Sequence, residues 1–529
     1  MSSTTTTTTS APRRSHQLGS EEPRVLLGLR WPELTTLGLL LGAGLLVLSA
    51  RKDPTGVAIG LLLAAIGGVL AWGRHGGLSL AVWTGIAIRH ATGTAIGQQQ
   101  WRRRVTHGTH TAQRGRLAEH VQLPGELGRL HLLETALHED GTGPRIGVLH
   151  DRRADTYTAT LLVQATGNFG LLGHPDQDRR LADWAGALEE LARDQSPIRR
   201  VAWVERTLPQ PSDALADHLH EHRDPQLSLD LSPVRSYLEL LDQAATATDH
   251  HELLISLQIT GRAARRHARG RGWTRRETAL RVLAGELDLA AQALQHAGLD
   301  VRRPLDSHGL VTSVRLGLDP WTRPTTAGAG EAGAASGRVD PANGPSPSDD
   351  GGSSESDLAG MARDAARDHV IWDRSQHVTC WIAQWPRQPV RSMFLAPLLM
   401  RSDTTRAVAV VMELLGPDRG LRQAETTVAD DESAESLRWR TGIRTRRRVA
   451  KREQANRARE DELADGHIDI RFTGFVSIAV PTSAGVHARH QALDRVRAQA
   501  ARCGLRLEVM HGQQPEGLTF TLPLARGLA

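Results

Sequence analysis

Leu34–Ala50 (LTTLGLLLGAGLLVLSA) and Thr55–Gly73 (TGVAIGLLLAAIGGVLAWG) are two uncharged apolar runs, separated only by Arg51, Lys52, Asp53 and Pro54. A helix crosses the bilayer core with about 20 apolar residues and at the shortest about 17, so each run is just long enough. Two such runs on either side of a short charged turn predict a transmembrane hairpin, not the buried core of a soluble fold. A signal peptide does not fit. The first run begins past residue 30, and the second follows at once with no cleavage site between them. Arg13, Arg14, Arg24 and Arg30 precede the hairpin, and Arg74, Arg89 and Arg102–Arg104 follow it. The turn carries only Arg51 and Lys52, so the positive-inside rule puts both termini on the cytoplasmic side of the cell membrane. Gly38 with Gly42, and Gly56 with Gly60, fall four apart, a spacing that lets the two helices pack closely on each other. Leu78–Ile88 is too short to cross again and, with Trp83 among arginines, reads as an interfacial helix.

The remainder of the 529-residue chain is different material. Its length suggests about three domains. The full chain's 64 basic and 59 acidic residues leave a net charge of only +5. That excess does not make the whole chain a nucleic-acid binder. Lysine occurs only at 52 and 451, so almost every cation is an arginine. Two cysteines, Cys380 and Cys503, exclude a disulfide framework and any cysteine-rich zinc or iron–sulfur site, and fit a reducing compartment.

Five segments follow from these patterns. Residues 1–30 form a disordered Ser/Thr-rich tail, and 31–105 the hairpin with its interfacial helix. Residues 106–323 and 357–529 form two α+β lobes, split by a disordered Ala/Gly/Ser/Pro linker over 324–356. In the first lobe, Ile146–Leu149 and Thr156–Gln164 predict a hairpin, Val201–Arg206 and Glu252–Ile259 predict strands, and Arg179–Arg193 an amphipathic helix. Pro233–Ala247 predicts a second helix capped by Ser232, and Arg275–His296 a long one closed by Gly298. In the second lobe, Gln376–Gln384, Thr405–Leu414, Ile468–Val480, Leu505–Met510 and Leu518–Leu522 read as strands. Leu421–Leu463 and Gly485–Cys503 read as helices. Strand, helix and strand recur on both sides of the linker, which two ferredoxin-like lobes satisfy.

The chemistry that is missing narrows the function. A Walker A loop needs a lysine after glycine, and neither lysine follows one. No His-Glu-x-x-His occurs, nor a Gly-x-Ser-x-Gly elbow in strand–helix context. Gly328-x-Gly330-x-x-Gly333 has no strand before it and lies in the linker, so it does not read as a dinucleotide site. His218, His220 and His222 alternate, but in a setting that reads as a polar turn and not a metal-binding strand. No catalytic residue, cofactor or metal is therefore assigned, and the chain reads as a non-enzyme.

Two arginine tracts are the other concentrated signal. Arg262, Arg265, Arg266, Arg269 and Arg271 lie in the stretch Arg262–Arg276, with Trp273. Arg446, Arg447 and Arg448 lie in Arg438–Arg459, with Trp439. Such tracts serve as solvated faces, as docking sites for anionic lipid, or as contacts to nucleic-acid phosphates. Direct nucleic-acid contact is the least favoured of these on sequence alone, because one tryptophan per tract is no stacking platform.

Several stretches carry a family resemblance. They are His150-Asp151-Arg152-Arg153, Arg206-Thr207-Leu208-Pro209, Val301-Arg302-Arg303-Pro304-Leu305, Trp385-Pro386-x-x-Pro389-Val390, Phe394-Leu395-Ala396-Pro397-Leu398-Leu399 and Thr521-Leu522-Pro523-Leu524-Ala525-x-Gly527. With the hairpin, they resemble the membrane proteins of actinobacterial conjugative elements encoded beside a type IV secretion ATPase. The cytoplasmic region is similar to the non-catalytic N-terminal part of that ATPase. The resemblance implies a structural membrane component that docks a separate secretion ATPase and other subunits of the complex. Trp385, Pro386, Pro389, Phe394, Leu395 and Pro397 are then the candidate partner contact, against the plainer reading of a proline-rich corner. A type VII secretion component shares the two-span layout, and a membrane-tethered DNA adaptor would work through the arginine tracts.

Overall fold

The computed structural model describes residues 29–101, 125–209, 231–239, 249–321, 361–420 and 468–528, with short breaks inside these ranges. The expected linker, the Leu421–Leu463 helix, Arg446–Arg448 and His218, His220 and His222 lie outside the described residues. Of the expected Pro233–Ala247 helix only residues 234–237 and residue 239 are described, and they are helical. Ser232, expected to cap it, is already helical, and the Arg235 N–H donates to the Leu231 carbonyl at 2.9 Å, so the helix starts a residue earlier than expected.

The hairpin forms as expected. Helix α1 spans Trp31–Ala50 and α2 spans Pro54–Trp72. Asp53 caps α2, its carboxylate accepting the Gly56 N–H at 3.0 Å, and Pro54 supplies a preset φ at the first helical position. Both helices are long and apolar enough to cross a membrane. Their apolar side chains point outward, with Leu39 75% and Leu61 68% exposed, the kind of contiguous apolar surface that marks a membrane or protein contact. The seam between them differs from the glycine spacing read in the sequence. Gly44 faces Gly60, where a Cβ on Gly44 would lie 3.1 Å from the Gly60 carbonyl oxygen, and Gly67 faces Leu37 and Leu40. Gly38 and Gly42 have nothing within 4 Å and take no part in the seam, and Gly56 sits against the Arg51 backbone at the turn.

After the hairpin, β1 (Arg74–His75) and β2 (Leu78–Ser79) make a short ribbon that leads into α3 (Leu80–Ala95), capped by Ser79. The expected interfacial helix thus starts two residues later and extends further. It packs against the connection at His511 and Gly512, and Arg89 pairs with Glu516. Strand β3 (Gln100–Trp101) then enters the main sheet.

The first half supplies β4 (Leu130–Ala136), β5 (Arg145–Asp151), β6 (Thr156–Ala165), α4 (His174–Leu191), β7 (Ile198–Pro209) and β8 (Asp249–Thr260). There follow α5 (Gly261–His267), α6 (Arg275–His296), β9 (Leu299–Pro304) and α7 (Ser307–Leu318). The second half supplies β10 (Arg363–Ala365), β11 (Val370–Trp372), β12 (Ser375–Gln384), α8 (Ala396–Leu399) and β13 (Arg406–Leu415). It ends with β14 (Asp469–Pro481), α9 (Gly485–Arg502), β15 (Arg506–Val509) and α10 (Gln514–Thr519).

The two halves share one sheet. Its order is β3-β10-β11-β12-β14-β13-β7-β8-β6-β5-β4, with β15 also on β12 and β9 also on β6. All of these pairs are antiparallel, and β13 joins β7 in unbroken register from Arg406↔Thr207 to Glu413↔Arg200. In each half the run strand–helix–strand–strand–helix–strand gives the same spatial order: β7-β8-β6-β9 in the first and β13-β14-β12-β15 in the second.

Alternation along the strands sorts the core into two faces. Val201, Ile255, Leu257, Ile259 and Met412 face α4 and α6, and Val408, Val476 and Ile478 face α8 and α9. The opposite face, with Val204, Leu254 and Ala409, is covered by Leu310, Val314 and Leu318 of α7 and by Leu518, Leu522 and Leu524 near the C-terminus. Strands buried on both faces read as nearly continuous apolar runs, which is why β8 and β14 are so clear in the sequence.

One expected strand is not one. Leu518–Leu522 forms the end of α10 and a turn. The apolar alternation there suggests a strand, but Leu518 and Leu522 lie four apart and enter the same core cluster, as successive turns of a helical segment do. Pro515 starts the helix, and the Gln514 amide takes the place of a ladder residue, accepting the Thr379 N–H at 2.8 Å and donating to the Thr379 carbonyl at 3.0 Å.

Candidate functional site

The proline-punctuated stretch is a corner of the second core. Trp385 meets Phe472 edge-on with ring centroids 5.2 Å apart, and Pro386 lies beside Gly504. Phe394 and Leu395 are half-buried against the cluster around Leu398, and Pro397 lies in the first turn of α8. Pro389 is outside the described residues. The corner is also tied to the first half, for Ser392 Oγ donates to Gln177 Oε1 at 2.6 Å. The aromatic and apolar side chains expected at a partner contact therefore turn largely inward.

A buried polar seam links α7 to both halves, and nothing in the sequence pointed to it. Arg206 is 1% exposed on β7. Its guanidinium donates to Glu252 at 2.5 Å and to the Ser313 carbonyl and Oγ at 2.6 Å each. Where α7 ends, Ser375 donates to Asp319, and His377 Nε2 donates to the Leu318 carbonyl at 2.7 Å. Burial holds the His377 imidazole down to about 4, so it is neutral and donates from one nitrogen. The C-terminal segment closes over the same face. Arg526 pairs with Asp151 at 2.6 Å, and the Leu524 carbonyl accepts from Gln258 at 3.3 Å. The resembling stretches around Arg206 and residues 521–527 thus meet at the join between the halves, where they hold the fold.

The first arginine tract is exposed. Arg262, Arg266, Arg269 and Arg271 point to solvent from α5 and the turn after it, while Arg265 is half-buried, 3.9 Å from Asp155. Trp273 lies between Arg271 and Arg281, whose guanidinium carbons are 5.1 Å and 4.5 Å from its ring centroid. Asp155 belongs to the β5–β6 turn, so Arg152 and Arg153 are brought to this end of the molecule. Nothing in the sequence joins them to the tract, since more than a hundred residues intervene.

Burial pushes the Cys380 thiol up to about 12 and also raises Cys503, so both are poor nucleophiles. His150 stacks on Tyr157 with centroids 4.2 Å apart, and burial lowers its pKa. No three His, Cys, Asp or Glu side chains among the described residues are grouped to hold a metal. The chain matches no family model, and no curated protein matches it.

Proposed function

We propose that the chain is a non-enzymatic structural component of a type IV secretion or conjugation-like apparatus in the cytoplasmic membrane. In this reading both termini are cytoplasmic and the body docks a separate secretion ATPase. The observation that carries the reading is the pairing of an exposed apolar hairpin with a body in which one six-element unit occurs twice. The order β7-β8-β6-β9, repeated as β13-β14-β12-β15, supports two ferredoxin-like lobes fused edge to edge. A sheet continuous across both lobes resists bending, which suits a platform fixed at a membrane and loaded by a motor. The arginine flanks of the hairpin support the orientation.

The test is affinity purification of the full chain from native membranes in mild detergent, with nuclease treatment and mass spectrometry of the eluate. Recovery of an ATPase with its own Walker motifs is expected, and the class of that ATPase separates type IV from type VII. An eluate without an ATPase, from which DNA-processing proteins disappear on nuclease treatment, would overturn the scaffold in favour of a DNA adaptor.

A further inference from the structure

The basic end of the first half brings together cations from two distant parts of the sequence. Arg262, Arg266 and Arg269 leave α5 and its exit turn exposed, and Arg275 and Arg276 open α6, also exposed. Arg152 and Arg153 project from the β5–β6 turn beside them, a turn fixed to the start of α5 by the Gly261 N–H donating to the Asp155 carbonyl at 2.8 Å. Members of both groups reach the stacked His150–Tyr157 pair. Arg152 and Arg276 act on the imidazole, and Arg265, Arg275 and Arg276 on the phenol.

The acids nearby are already engaged: Asp151 with Arg526, Asp155 with Arg265 and Glu277 with Arg281. None of the seven exposed arginines of the two groups enters an ion pair among the described residues. Arg275 and Arg276 also occupy the first turn of a 22-residue helix, where the helix dipole is positive and cations are unfavourable. A sequence that places two cations there, beside five more, is relieved by a bound anion. The turn between α5 and α6 runs through Gly270 and Gly272, with φ of +86° and +67°. Nothing lies within 4 Å of where their side chains would be, so a ligand has open access to the backbone.

We infer that Arg152 and Arg153, together with the Arg262–Arg276 segment, form one composite site for the phosphate backbone of a nucleic acid. Guanidinium forks match phosphate oxygens in pairs, and a site without an aromatic platform reads the backbone and not the bases. The alternative polyanion is the anionic bilayer. The membrane segment docks through α3 on the β12–β15 side, and five strand-to-strand steps separate β12 from β6. At about 4.8 Å per step that is about 24 Å along the sheet from α3. A site this far from the anchor suits a polyanion that comes to the protein. The inference does not depend on the secretion reading, because it is measured on the purified chain without an ATPase.

The experiment is fluorescence anisotropy of a labelled duplex of about 30 base pairs and mixed sequence, with the full chain in neutral phosphatidylcholine nanodiscs. With about five phosphates neutralised, affinity should fall about 500-fold between about 50 and 200 mM salt. Arg262→Glu/Arg266→Glu/Arg269→Glu should abolish binding at the lower salt. Arg152→Ala/Arg153→Ala should weaken it about tenfold and reduce the salt slope by about 2, which only a composite site requires. Unchanged circular dichroism melting would establish that the variants fold. Absence of duplex binding, binding indifferent to both sets of substitutions, or a silent Arg152/Arg153 pair would each overturn the inference. Patch-dependent capture of phosphatidylglycerol vesicles without duplex binding would reassign the site to lipid.

Discussion

The two halves of the sheet have the same strand order but differ in what connects the strands. Between its first and second strands the first half has α4, a helix of 18 residues, where the second half has only the corner and the four-residue α8. Pro386, Pro389 and Pro397 punctuate that corner, and proline is tolerated only in a helix's first turn. Between its third strand and its second helix the first half inserts α5 and the glycine turn, bearing the arginines, where the second half has a single 3-10 turn, Thr482–Ala484. The common framework is apolar and packed, whereas the distinguishing chemistry sits in connections that the framework tolerates. This is the usual division of labour between a scaffold and its loops.

The strongest way to break the equivalence of the halves is through the seam. Arg206→Ala would leave the partly buried Glu252 without its cation and empty a fully buried site under Ser313, and is expected to cost about 3 kcal/mol, read by denaturant unfolding of the detergent-solubilised protein. A loss below about 1 kcal/mol would mean that α7 does not depend on Arg206.

His377 tests the same seam from the second half. Its folded pKa is depressed to about 4, so between that value and its ordinary 6.5 the unfolded chain binds the extra proton. Stability is fully present above about pH 6.5 and falls by up to about 1.4 kcal/mol per unit as pH drops toward about 4. His377→Gln should flatten this part of the pH–stability curve. An unaltered curve would assign the acid sensitivity to other groups.

The smallest expected effect concerns the corner. Trp385→Ala removes a half-buried ring from its edge-on contact with Phe472 and should cost about 2 kcal/mol in the same unfolding assay. If stability is unchanged while recovery of a secretion ATPase is lost, Trp385 is a partner contact and not a structural corner.

Much of the local structure is legible in the sequence. The hairpin declares itself by length and by absence of charge. Arg275–His296 is legible to the residue, because Thr274 caps it and Gly298, at φ +79°, ends it. Other elements carry usable signals that are easily passed over. Leu310, Val311, Val314 and Leu318 follow the Asp306 cap at helical spacing, and Leu130–Ala136 forms the edge strand β4. Leu518–Leu522 misleads because a short apolar alternation fits either period.

By itself, then, the sequence determined what short-range physics controls: spans, caps, strand alternation and the position of charge along the chain. Only the tertiary structure decided that the two halves share one sheet, that Arg206 is buried beneath α7, and that Arg152 and Arg153 stand beside Arg262–Arg276. Strand partners and converging side chains depend on contacts between residues far apart in sequence. Such contacts are fixed by how whole faces bury one another, and no local window of the chain contains that information.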